Sequence, residues 1–392
     1  MQQLIDNIRA DTSAVQRLNY LHNAGSALMP RQVVDAMKQY IDLEAEIGGY
    51  AAADQETERL ENVYGSVARL INASPAEIAL TENATVAWQM AFYALPFSAG
   101  DRILTAEAEY AANYVAFLQA AKRTGVKIDV VPSDASGELD VAALESMIDG
   151  RVKLIAITWV PTNGGLVNPA AAVGKIARKH HIPYLLDACQ AVGQMPADVA
   201  ALGCDMLSAT GRKFLRGPRG TGFLYVRQDL LQQLEPPMID HYAAPWVARD
   251  QYKLREDARR FESWENNYAA RLGLGVAIDY ALALGLDAIE ARCTILSRRL
   301  RNGLGNLPRV KVRDLGRKPS AIVSFTIDGL AAADVVKSAA GANITIGMSS
   351  PSSTRLDAEA RSLPAVARAS PHYYNTEAEI DQLLECVARL VK

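Results

Sequence analysis

Short apolar runs recur through the first two thirds of the chain, at residues 77–81, 102–105, 127–131, 153–158, 184–187, 206–209 and 222–226. Several are separated by stretches of helical period, such as 169–180. A run this short and this apolar suits a strand buried on both faces. Parallel strands need a crossover between them, and the helical stretches supply it. The alternation predicts an α/β domain built on a mostly parallel seven-stranded sheet. Ligands in such sheets bind beyond the carboxyl ends of the strands, and Asp187, Asn163 and the loop 210–213 all fall at such ends. The pattern then changes. A helix is expected over 266–284 and another over 289–304, then strands at 310–313 and 321–327, a helix at 332–338, a strand at 344–347 and a last helix at 377–391. These make a smaller α+β domain. The division reads as a large domain over 16–260 and a small one over 261–392 joined by 1–15. Residues 232–260, with Pro236-Pro237, read as a surface excursion, and 311–317 and 349–353 as loops.

The composition allows this. The chain has 392 residues, 49% hydrophobic and 22% charged, enough for a large core and two domains. A formal net charge of −3 gives no electrostatic reason to expect nucleic acid or an anionic membrane as partner. No run reaches the length of a transmembrane helix. The first ten residues lack the basic and apolar regions of a signal peptide, so a cytoplasmic location is expected. Four cysteines, with no CxxC pair, suggest neither a disulfide framework nor a zinc site, and no metal is expected.

The chemistry concentrates on one lysine. Lys213 lies in the Gly-rich basic loop Ser208-Ala-Thr-Gly-Arg-Lys213-Phe-Leu-Arg-Gly-Pro218, downstream of the strand end Tyr184-Leu-Leu-Asp187. An acid at a strand end, followed by a lysine on a later loop with a hydroxyl three residues before it, suits pyridoxal 5'-phosphate. The lysine amine forms a Schiff base with the aldehyde. The carboxylate keeps the pyridine nitrogen protonated, which makes the ring an electron sink. A helix N-cap after a strand is the competing reading of Asp187.

Leu186-Asp187-Ala-Cys-Gln190 together with Ser208-Ala-Thr-Gly-Arg-Lys213 resembles the class V aminotransferase family, pyridoxal phosphate enzymes of fold type I that include cysteine desulfurases and C–S lyases. The likeness runs from Tyr20-Leu-His-Asn-Ala-Gly25 to Arg368-Ala-Ser-Pro-His-Tyr-Tyr-Asn375. The resemblance implies that Lys213 carries the cofactor and shuttles the α-proton, that Asp187 pairs with the ring nitrogen, and that Gln190 reaches the phenolic oxygen. Asn83, Ala84 and Thr85 open an apolar helix whose N-terminus suits a phosphate; Thr210 and Arg212 would complete that cup. Tyr110 falls where many relatives stack a histidine on the ring. Asn163 would lie near the phenolic oxygen, and Asn-Gly is equally an ordinary turn pair. Arg368 would clamp the substrate carboxylate through its planar fork. Asn23, Gly25 and Tyr50 would face the substrate, Tyr50 from the loop around Gly48-Gly49. A homodimer is implied, with the partner subunit touching the segment from Trp264 to Tyr268.

The segment 343–363 holds Met348-Ser-Ser-Pro-Ser-Ser353 and no cysteine, where cysteine desulfurases carry a nucleophilic one. This argues for a lyase that performs β-elimination on cysteine or a cysteine conjugate without a catalytic cysteine. The alternatives are a class V aminotransferase or an amino-acid epimerase on the same cofactor. A non-enzymatic anion-binding protein using Arg212, Lys213, Arg216 and Arg219 is a further alternative.

Overall fold

A computed structural model describes residues 2–392. The strands of the main sheet are β1 (Ile78–Thr81), β2 (Arg102–Ala106), β3 (Lys127–Val131), β4 (Val152–Thr158), β5 (Tyr184–Asp187), β6 (Met206–Thr210) and β7 (Gly222–Val226). Their order across the seven-stranded sheet is β1-β7-β6-β5-β4-β2-β3. Only β7 runs against its neighbours, pairing antiparallel with both β1 and β6. β1, β5, β6 and β7 are buried at every position, as unbroken apolar runs demand when helices cover both faces. Each fully buried Leu or Ile here contributes about 1.5–3 kcal/mol relative to exposure.

A second sheet of four antiparallel strands holds Val310–Val312, Val323–Ile327, Val366–Ala369 and Gly347–Ser349, in that order. The expected strand at 344–347 is two strands. Ile344–Thr345 pairs parallel with Asn19–Tyr20 near the N-terminus, and Gly347–Ser349 pairs with Val366–Ala369. The chain changes sheet between them because the N-terminal segment offers a second partner. Two expected loops are shorter than read, since Lys311 and Val312 lie in one strand and Ser349 in another.

The helix Tyr268–Leu284 starts one residue after its cap, Asn267, whose side chain accepts the Ala270 N–H at 2.9 Å. It ends at Gly285, φ 82°, and the next helix, Leu286–Gly305, begins three residues earlier than periodicity placed it. The last helix, Glu377–Leu390, opens on a full capping box between Thr376 and Glu379. The excursion 232–260 carries an exposed two-stranded hairpin, Trp246–Ala248 with Gln251–Tyr252. No single helix among the described residues is long and apolar enough to cross a membrane.

Candidate active site

Five strands of the sheet deliver their carboxyl ends to one cleft. Thr158, Asp187 and Ser208 stand side by side in register on β4, β5 and β6. Asp187 is buried. Its Oδ2 accepts Asn113 Nδ2 at 2.9 Å and its Oδ1 accepts the Cys189 N–H at 2.9 Å. Lys213 follows β6 and is partly buried. Burial lowers its amine below the usual lysine range, opposed by Asp187 and seconded by the charges of Arg212 and Arg368. A desolvated amine beside two guanidiniums is a better proton acceptor near neutrality than a surface lysine.

The lysine loop is held from behind. Arg216, three residues on, has no exposed surface and sits at φ 61°. Its guanidinium donates to the Leu28 carbonyl, the Tyr373 hydroxyl and Thr12 Oγ1 at 2.7, 2.9 and 2.6 Å, with the Tyr374 ring 4.6 Å away. A group so enclosed is closed to a diffusing anion, which removes Arg216 from the alternative anion-binding reading. His372 Nε2 meets the Phe214 carbonyl at 2.7 Å and Nδ1 meets Cys293 Sγ at 3.5 Å. Burial and Arg216 push this imidazole down to about 3, so it is neutral and donates from Nε2. Gly193, at φ +93°, backs onto the same loop; a Cβ there would lie 2.4 Å from the Leu215 nitrogen, so this position requires glycine.

The helix Ala84–Tyr93 begins beside β7. Asn83 caps it by accepting the Val86 N–H at 3.0 Å. The N–H groups of Ala84 and Thr85 are among those a helix cannot satisfy within itself. Gly222 lets the sheet come close. A Cβ there would stand 2.9 Å from the Ala84 nitrogen and 2.7 Å from the Ala209 carbonyl. Thr210, paired with Gly222, donates to the Thr221 carbonyl at 3.3 Å. Arg212 reaches elsewhere, to the carbonyl of Gly25.

The opposite wall comes from the small domain and the N-terminal segment. Arg368 is buried, with no carboxylate salt-bridged to it among the described residues. Its Nη1 donates to the Thr162 carbonyl and hydroxyl, both at 2.6 Å, and its Nε has no partner. Burial and Arg212 push this group down to about 10, opposed by Tyr110. His22 lies between Gly25 and Gly347, where a Cβ would come within 2.3 Å and 2.1 Å of the ring. Burial, Arg368 and Arg212 push His22 down to about 4, and its Nδ1 is buried without a partner.

Several sequence-designated residues are already engaged. Asn23 donates to the Ser370 carbonyl at 2.7 Å and accepts the Tyr374 hydroxyl at 2.5 Å, so both ends of its amide are used. Asn163 Nδ2 donates to Asp357 at 2.7 Å. Gln190 Nε2 donates to the Ala24 carbonyl at 3.1 Å, leaving Oε1 buried and unpaired. Tyr110 holds the N-cap position of the helix Ala111–Thr124 without a side-chain capping bond; the residue is 36% exposed and its hydroxyl feels Asp187, Arg212 and Arg368. Tyr50 is not brought to this cleft. It is 76% exposed, 6.0 Å from the Trp264 ring, and the two border a surface cavity with Met37 and Ile41.

The residues that sequence reasoning missed are Glu109, Asn113, Thr162, His22 and His372, and Arg216 was named there for a different role. Glu109 is buried, and burial pushes its carboxyl up to about 7 against hydrogen bonds from Thr158 and Asn113. All four cysteines are free. Three are buried, and Cys189 is partly buried with its thiol pushed well above the usual range by burial and Asp187.

Residues 19–383 match the family model described as Aminotransferase class-V. A probable cysteine desulfurase of Methanothermobacter thermautotrophicus is 30% identical over 98% of this chain and 98% of its own. The apo structure of a cysteine desulfurase from Thermococcus onnurineus superposes with a TM-score of 0.92 at 29% identity, covering 98% of each chain. The cystine C–S lyase C-DES, solved with its reaction product cysteine persulfide, superposes with a TM-score of 0.87 over 96% of this chain and 99% of its own. At 24% identity that last likeness is one of fold.

Proposed function

The chain belongs to the aminotransferase class-V family, of the cysteine desulfurase and C–S lyase type with pyridoxal phosphate as cofactor, and we propose that within it this enzyme is a C–S lyase. It acts on cysteine or a cysteine conjugate by β-elimination and uses no cysteine of its own. The overall change is R–S–CH2–CH(NH3+)–COO− plus water giving R–SH, pyruvate and ammonium.

The cleft fits the cofactor. Gln190 Oε1 and Ser208 Oγ are buried polar atoms without partners beside Asp187, and buried orphans of this kind mark a missing ligand. Asp187 would meet the ring nitrogen, Tyr110 the ring face, and the Ala84 and Thr85 N–H groups with Thr210 the phosphate. When bound, the cofactor supplies an aldehyde that captures amines and a protonated ring that stabilises negative charge at the substrate Cα. Lys213 holds the cofactor and then takes the proton from that Cα, which its lowered basicity suits. Arg368 and His22 offer two unpartnered nitrogens to the substrate carboxylate. Arg212, tied to Gly25, adds a second positive charge to that wall.

The observation that carries the choice of elimination is the make-up of the segment Gly347–Thr354. Its 3-10 turn, Pro351–Thr354, packs against the helix Ala111–Thr124 that follows Tyr110, and it holds serines and no cysteine. The remaining thiols are buried or lack thiolate character, so none suits a persulfide carrier. A homodimer is part of the proposal. Ile41, Tyr50 and Trp264 are exposed hydrophobics lining one surface cavity, and a second copy covering it would bring Tyr50 and the segment from Trp264 to Tyr268 into a shared interface.

Incubation of the holoenzyme with S-substituted cysteines should release pyruvate and thiol in equal amounts. A keto acid that keeps its sulfur side chain would indicate transamination. Exchange of the α-proton without product would indicate epimerisation. Persulfide on the protein would restore desulfurase chemistry.

A further inference from the structure

Glu109 is a buried carboxylate that the proposed reaction does not use. Its Oε1 accepts the Tyr110 N–H at 2.9 Å, Asn113 Nδ2 at 2.8 Å and the Thr158 hydroxyl. Its Oε2 accepts the Thr158 N–H at 2.9 Å and the Thr105 hydroxyl at 3.1 Å. The Thr158 hydroxyl itself accepts the Tyr110 N–H at 3.2 Å, which leaves its own proton for Glu109. Every contact therefore runs toward the carboxylate and opposes the burial that pushes it up to about 7.

Asn113 Nδ2 donates to Glu109 and to Asp187 at once. One amide thus joins two buried carboxylates. No arginine, lysine or histidine forms a salt bridge with either among the described residues. Buried anions need a counter-charge; Asp187 already acts on the Lys213 amine, and Glu109, joined to it through Asn113, has no cation of its own. A protonated ring nitrogen at Asp187 supplies one, and it also pulls the Glu109 carboxyl back toward ionisation.

We infer that Glu109 is a positioning residue for the cofactor: through Asn113 it places a second negative charge behind Asp187 and so favours the protonated ring nitrogen. The same carboxylate grips the Tyr110 N–H, which ties the orientation of the stacking ring to the charge beneath it. This rests on Asp187 facing the ring nitrogen, as proposed above.

The test compares pyridoxal phosphate with its analogue that carries C–H in place of the ring nitrogen, which cannot be protonated there. Dissociation constants of both are measured by spectral titration of the apoprotein. The wild type should prefer the natural cofactor, and Asp187→Ala should abolish the preference. Glu109→Gln should narrow it about tenfold, the equivalent of one pKa unit at the ring nitrogen, with binding of the analogue little changed. Glu109→Asp should recover part of it. If Glu109→Gln weakens both ligands equally, or leaves the ratio intact while Asp187→Ala removes it, Glu109 is merely structural and the inference falls. If Glu109→Gln does not fold, Asn113→Ala cuts the bridge and leaves the carboxylate in place; it should narrow the ratio too, and an unchanged ratio overturns the inference. A preference that survives Asp187→Ala takes down the Asp187 assignment, and the Glu109 inference with it.

Discussion

The strand-end floor around Asp187 and the small-domain wall around Arg368 face each other across the cleft with opposite charge. The floor buries Asp187 and Glu109 with Asn113 between them. The wall buries the Arg368 guanidinium and holds a partly buried, neutral His22, with Arg212 alongside. The floor's carboxylates are filled by donors, whereas the wall leaves Arg368 Nε and His22 Nδ1 open. The floor is preorganised for a cationic ring, and the wall waits for an anion. A bound amino acid with its cofactor carries both, which is how one cleft satisfies two uncompensated sets of charges.

The largest break in this comparison comes from the residue between the two sides. Lys213→Ala should lower kcat/KM on the order of 10²–10⁴-fold or more and remove the cofactor's near-visible absorbance band. A variant that keeps the band and the rate would dissolve the distinction, because floor and wall would then act without a proton carrier. Next is the wall alone. Arg368→Ala leaves the floor intact and removes a desolvated partner for the substrate carboxylate. Such truncations cost about 2–5 kcal/mol, roughly 30-fold to several thousand-fold. The loss should fall on KM, and the cofactor's dissociation constant should stay put. A variant that instead sheds cofactor would assign Arg368 to the floor.

The two sides also differ in how far the sequence exposed them. The floor is legible because its residues follow apolar runs directly: Asp187 ends a strand, and Lys213 comes three residues after Thr210 ends the next. Local pattern carries that information. The wall is assembled over long separations. Arg368 bonds Thr162 across 206 positions, and His22 is flanked by Gly25 and by Gly347 from the far sheet. No local period encodes such meetings. Glu109 was invisible for another reason. A glutamate in a loop reads as solvated, and only tertiary burial reverses that; burial likewise turns Arg216, a candidate anion ligand in the sequence, into an enclosed fastener. Asn23 and Asn163 show the converse, since amides that look free in the sequence are used up as fasteners.

Acid should weaken the protein through two imidazoles, His22 in the wall and His372 behind the lysine loop. His22 and His372 are held neutral, at about 4 and about 3 against an ordinary 6.5. Their folded-state values are lowered, so the stability they contribute is complete above pH 6.5 and drains as the pH falls through that range toward 4 and 3. For the fully buried His372 the effect amounts to several kcal/mol. Urea unfolding at pH 7, 6 and 5 should show falling midpoints, and His372→Asn should flatten the slope. A midpoint independent of pH in the wild type would mean these imidazoles are protonated in the native state.

The smallest expected effect is the most discriminating for the reaction. Cys189 sits on the floor, two residues from Asp187, with its N–H bonded to that carboxylate. Burial and the Asp187 charge hold its sulfur as a thiol, and a thiol is neither a nucleophile nor a persulfide acceptor. Cys189→Ser keeps the backbone bond and replaces a weak donor with a stronger one. It should change kcat/KM by less than about threefold, because elimination asks nothing of the sulfur. A loss on the order of a hundredfold, or sulfane sulfur recovered on Cys189, would move the chemistry from the lysine to the thiol. The floor would then supply a nucleophile as well as a charge.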